Sequence, residues 1–105
     1  MSEPSLLGRL AAWLYPSVAE RQNRQGERIQ SLTRAINRDP VSAASYMCRG
    51  ESYLEAGDPA SAAADFRQAL ALVEAQFKTE TWGVVAQAIR DRAFRGLQQT
   101  QQGRS

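Results

Sequence analysis

The sequence predicts an all-α fold of about four to five helices, and three observations carry that expectation. Apolar residues recur at three- and four-residue spacing through most of the 105 positions. The pattern is punctuated by Pro16, by "DP" at 39–40 and by "GDP" at 57–59, marks that start and stop helices. No stretch alternates apolar and polar residues with the period of two that a half-buried strand needs. At 43% apolar and 23% charged residues, the chain suits one folded domain over 1–105 with a single modest core.

Residues 5–15 form the first element, an amphipathic segment in which Leu6, Leu7, Leu10, Trp13 and Leu14 share one side and Arg9 lies off it. Pro16 ends it. Ser17 and Glu20 stand at capping-box spacing for a second helical stretch over 17–38, whose later part puts Ile29, Leu32 and Ile36 on one stripe. Gly26 leaves open whether that stretch is one helix or two. Asp39-Pro40 and Asp58-Pro59 each place a capping acceptor before a proline that is harmless at a first helical position. They open a helix pair over 41–77, from about Val41 to Ala56 and from about Ala60 to Phe77. Gly57 falls where a helix ends in a left-handed residue. A last helix is expected over 81–98, with Trp82, Val85, Ala86, Ile89, Ala93 and Leu97 on one stripe and Phe94 at its edge. The polar tail 99–105 is expected to fray.

Within the helix pair the spacing is more specific than amphipathicity requires. Tyr46, Gly50, Tyr53, Ala62, Phe66 and Ala69 fall at the fourth, eighth, eleventh, twentieth, twenty-fourth and twenty-seventh positions of a 34-residue unit beginning at Ala43. Small residues at 50, 62 and 69 would let two helices approach, with the aromatic rings filling the spaces between them. In this register the segment resembles a tetratricopeptide repeat. The resemblance implies a short α-solenoid of antiparallel helix–turn–helix units: a degraded repeat over 17–38, a well-formed one over 43–76 and a capping helix after it. Three features depart from the pattern: Arg49 stands where leucine is usual, Glu74 stands where proline is expected, and Pro16 falls in the middle of where the first helix of the preceding repeat should be.

Chemistry is poorly provided for. The chain has no histidine and Cys48 is its one cysteine, which removes imidazole bases, Cys/His metal clusters and disulfide frameworks. No phosphate-cradling glycine loop is present, because Gly50 and Gly57 fall in helix and helix-end contexts. Glu51 and Glu55, one turn apart on a helix surface, lack the burial that would separate their acidities for acid–base work. The expectation is no enzyme, no catalytic residue, no metal and no cofactor. Leu6 to Tyr15 is about half the ~20 residues of a spanning helix. The opening residues, with Glu3 and Arg9, do not read as a secretory signal, and a lone cysteine suits a reducing compartment. A cytoplasmic protein is expected, with a peripheral place at a membrane surface as the alternative.

Binding is the remaining class. The resemblance implies a concave groove lined by the first helix of the repeat, here Ala44, Met47, Cys48, Glu51, Leu54 and Glu55. Members of the family that grip acidic C-terminal tails of heat-shock chaperones use lysine, asparagine and arginine in that groove. Met47, Cys48 and Glu51 stand there instead, so an amphipathic or basic protein segment is the better ligand. Against this, Glu51 and Glu55 can simply form a solvated face or pair with Arg90 or Arg95. For the stripe of Leu6, Leu7, Leu10, Trp13 and Leu14, three roles stay open: a cap docked on the repeat, a partner-facing anchor, or adsorption to a membrane surface.

Twelve of the thirteen basic residues are arginine, but those at 21, 24, 28, 90, 92 and 95 are interleaved with Glu20, Glu27 and Asp91, which disfavours nucleic acid. Stacked repeats usually need about three units to stand alone. A shorter array points to self-association or a stable partner, and so to a small adaptor, assembly factor or accessory subunit.

Overall fold

The computed structural model describes residues 6–76 and 83–102, with side chains from Glu20 onward. Four α-helices account for nearly all of it: α1 (Leu6–Arg38), α2 (Ala43–Glu55), α3 (Pro59–Gln76) and α4 (Gly83–Gln102). No strand occurs among the described residues. The expected positions Phe77, Lys78, Thr81 and Trp82 lie outside them, as do residues 103–105.

α1 corrects the expected division at Pro16. It is a single helix of 33 residues that runs through both Pro16 and Gly26, so Ser17 lies inside a helix and not at the start of one. An interior proline removes one hydrogen bond and crowds the preceding turn, at a cost of about 3 kcal/mol. That cost disfavours a helix without forbidding one.

The α1–α2 connection also differs from expectation. Asp39 is not the N-cap. Its carbonyl accepts from the Ser42 N–H at 3.2 Å, closing a turn with Pro40 in its second position, where a fixed φ is useful. Ser42 caps α2 instead, its hydroxyl accepting from the Ser45 N–H at 3.3 Å.

The second Asp-Pro behaves as expected. Asp58 Oδ1 accepts from the Ser61 N–H at 3.2 Å ahead of Pro59, the first residue of α3. These bonds from Ser61 hold the Asp58 carboxyl below its ordinary pKa. Before it, Gly57 adopts φ +85°. The Gly57 N–H donates to Leu54 and the Asp58 N–H to Tyr53, which satisfies the last carbonyls of α2 as a Schellman motif does.

Cross-helix contacts fix the directions. Gly50 meets Phe66 while Ala43 clusters with Val73, so α2 and α3 are antiparallel. Phe66 meets Gly96 while Val73 clusters with Ala86, so α3 and α4 are antiparallel too. α2 and α4 therefore run parallel and also touch each other. α1 packs on α2, with Gln25 at Glu55 and Thr33 at Arg49. This places α1 and α4 at opposite edges of the array.

The core centres on Phe66, fully buried among Met47, Ala62, Ala69 and Ala93. Its ring lies between two glycines. A methyl carbon added at Gly50 would stand 2.8 Å from the ring, and one added at Gly96 closer still. Tyr46, Tyr53, Leu54, Leu70, Ile89 and Leu97 surround this cluster. A smaller one of Ala43, Val73 and Ala86 lies at the other end.

α4 outlasts its expected end at 98. It continues to Gln102, and Thr100 is buried, its hydroxyl donating to the Leu97 carbonyl at 2.6 Å. The physical reason is the antiparallel register, which sets the first turns of α3 beside the last turns of α4. Only 103–105 of the expected frayed tail stays outside the described residues.

Two predictions follow from these elements. Gly96→Ala should lower stability by about 1–3 kcal/mol through overpacking against Phe66, despite a helix-propensity gain of about 1 kcal/mol. Gly26→Ala, with nothing within 4 Å of the added carbon, should raise stability by about 0.5–1 kcal/mol; urea denaturation of both variants measures the contrast. The second concerns Asp58. A depressed carboxyl pKa contributes stability above the unfolded pKa, and this contribution is lost as pH falls through the folded one. Wild type should therefore lose thermal stability relative to Asp58→Asn below roughly pH 4 and not near neutrality, as paired melting curves would show.

Candidate functional site

The parallel pair α2 and α4 builds one continuous face, apolar at one end and charged at the other. At the N-terminal end of both helices a hollow of about 420 Å³ is lined by Val41, Ala44, Val85, Ala86 and Ile89, with Asp39, Ser42, Ala43 and Gln76 around it. Val41 is 60% and Val85 49% exposed, and neighbouring Val84 is 85% exposed. These are large apolar surfaces left in water. The Gln76 amide donates to the Val41 carbonyl at 2.8 Å and so holds the lip of the hollow to the end of α3.

Further along, Arg92 of α4 reaches across to Glu51 of α2, with Nη2 at 2.6 Å and Nε at 3.3 Å from its two carboxylate oxygens. Arg92 and Glu51, with Arg95, Gly96 and Gln99, line a smaller polar hollow of about 270 Å³. Both partners are substantially exposed, so the bridge orients the face more than it stabilises the fold; such pairs contribute roughly 0.2–1 kcal/mol.

The six residues expected to line a groove are divided by the structure. Ala44 is exposed and borders the apolar hollow, and Glu51 borders the polar one. Glu55 is exposed and accepts from the Gln25 amide of α1, facing away from α4. Cys48 and Leu54 are half-buried against the Phe66 cluster. Met47 is 3% exposed and belongs to the core itself, which corrects its expected place on an open face. The reason is that Met47 joins the cluster around Phe66, to which α3 and α4 both contribute. Glu51 pairs with Arg92, not with Arg90 or Arg95, and Glu55 pairs with neither. The side chains of Leu6, Leu7, Leu10, Trp13 and Leu14 lie outside those described.

A second opening, of about 450 Å³, lies between α3 and α4 on the far side, lined by Leu70, Val73, Glu74, Arg90 and Phe94. Phe94 is 52% exposed there.

The sequence reading missed the polar tie behind the face. Arg49, where leucine was expected, donates through Nε and Nη2 to both carboxylate oxygens of Asp65 at 2.7 Å and through Nη1 to Thr33 at 3.1 Å. It thereby joins α1, α2 and α3. Its guanidinium also lies 5.7 Å from the Tyr46 ring centre and 5.8 Å from that of Tyr53. The hydrogen bond to Asp65 raises the Arg49 pKa against the opposing effect of burial. One signal was available: Asp65 sits inside the apolar stripe of α3, between Ala62 and Ala69, and a buried acid needs a cation opposite.

No described helix is long and apolar enough to cross a membrane. No group of three or more Asp, Glu or Cys among the described residues could hold a metal ion. Asp65→Ala should cost about 3 kcal/mol by stranding a half-buried guanidinium, whereas Arg49→Leu combined with Asp65→Leu should recover most of that loss; equilibrium denaturation of the three proteins checks the pair. Comparison with known proteins finds no family model, no curated protein and no solved structure that matches this chain.

Proposed function

We propose that this chain is a non-catalytic protein-interaction module, a short α-solenoid of tetratricopeptide type that serves as a small adaptor, assembly factor or accessory subunit in the cytoplasm. The observation that carries the reading is the apolar hollow between the N-terminal ends of α2 and α4, open to solvent beside exposed Val41, Val84 and Val85. Large apolar side chains grouped in water mark a surface that another chain covers. The repeat assignment is supported by the burial of Gly50, Ala62, Phe66 and Ala69 between antiparallel helices, and by a following helix that runs parallel to the first. A chain without histidine supports the absence of acid–base catalysis.

The ligand that suits this face is an extended or helical protein segment. Its apolar anchors would enter the Val41–Val85 hollow, and its polar residues would lie toward Glu51, Arg92 and Arg95. This shifts the working residues away from Met47 and Leu54 toward Ala44, Val85 and Ile89. Val85→Glu with Ala44→Glu alters exposed positions only, and should leave unfolding free energy within about 0.5 kcal/mol of wild type. Affinity capture from the native cell, read by mass spectrometry, should recover a specific set of proteins with wild type and lose it with this double variant. Equal recovery by both would remove the face as the contact surface.

A further inference from the structure

α1 is much longer than the helix it packs on. Gln25 stands at Glu55, the last residue of α2, and Arg21 and Gln22 flank the same end. Residues 6–20 therefore continue past the α2–α3 turn as helix, about 22 Å beyond the array at 1.5 Å per residue, within a molecule 68 Å in its longest dimension. The apolar spacing of Leu6, Leu10, Trp13 and Leu14 belongs to this overhang, where α2 no longer runs beside the helix. At the opposite edge of the array the α3–α4 opening exposes Phe94 beside Leu70 and Val73.

We infer that these two surfaces cover each other between two copies of the chain, the α1 overhang of each lying in the α3–α4 opening of the other. The geometry favours this occupant. Overhang and opening lie at opposite edges, so a twofold axis across the overhanging end carries each α1 onto the far edge of its partner. The lengths agree as well. Counted from the start of the overhang at Arg21, Leu14, Leu10 and Leu6 stand at about 10, 16 and 22 Å. Counted from the same end of the array, Phe94 and Leu70 stand at about 12 and 16 Å. The surface used is separate from the α2–α4 face, so each can fail without the other.

Sedimentation equilibrium of the full chain at about 50 μM, a concentration at which a micromolar dimer is mostly assembled, should give twice the 11.6 kDa monomer mass. Leu10→Arg and Phe94→Glu should each give the monomer, with unchanged circular dichroism. An equimolar mixture of the two variants restores one of the two docks, because Phe94→Glu chains keep an intact overhang and Leu10→Arg chains an intact opening, so it should associate more strongly than either variant alone. A monomeric wild type overturns the inference; if that monomer sediments with anionic phospholipid vesicles, the stripe serves a membrane surface instead. A dimer that survives Phe94→Glu, or a mixture that associates no more strongly than either variant alone, overturns it equally.

Discussion

Phe66 is the residue on which three helices agree. Its ring occupies the space that side chains at Gly50 and Gly96 would otherwise fill, so α2 and α4 can both approach α3 closely only because neither carries a methyl group there. Around this contact the alanines at 62, 69 and 93 keep the helices near enough for a small core to be dense. The parallel alignment of α2 and α4 follows from it, since both are set antiparallel to α3. The face they share is thus a by-product of how one aromatic ring is housed. A core built this way has little volume to spare, which explains why its largest buried groups include one phenylalanine and one valine.

The second organising element is polar. The Arg49–Asp65 pair, with Thr33, connects three helices at one level of the array. Such a pair adds little more to stability than apolar residues in its place would, because desolvation offsets much of its attraction. What it adds is register. A bidentate guanidinium has one good position against a carboxylate, and the two tyrosine rings beside it narrow the choice further. Sliding α2 along α3 by a turn would strand both charges. Packing of small apolar residues tolerates such slips more readily, so the two devices complement each other.

The legible part of the fold lay where local signals and packing signals coincide. The α2–α3 hairpin was readable because Gly57 and Asp58 act within a few residues of themselves, and because the spacing of Gly50, Ala62, Phe66 and Ala69 encodes which sides meet. Where a signal depended on the third dimension, reading failed. Met47 lies on the same helix as Glu51, one turn away, and only the packing of the neighbouring helices decides which of them is covered. Gly96 resembles any helix-weakening glycine until Phe66 is seen against it. Pro16 carries a real local penalty, yet the helix runs through it. Asp39 and Asp58 precede proline identically, but Ser42 lay close enough to take over the cap at one of them. The Arg49–Asp65 pair was legible in principle, since Asp65 interrupts the apolar stripe of α3, but Arg49 was read only as a departure from the repeat pattern and Asp65 was passed over.

Gly50 and Gly96 stand 16 and 30 residues from Phe66 along the chain, and that asymmetry bears on the order of assembly. Closing the longer loop costs more conformational entropy, by about 0.6 kcal/mol on a logarithmic scale. The pocket for the ring is therefore half-built first, from the hairpin alone, and completed when the last helix arrives. During synthesis the hairpin can form as soon as α3 has emerged, holding an aromatic side open until α4 follows. Contacts this local in sequence favour rapid folding.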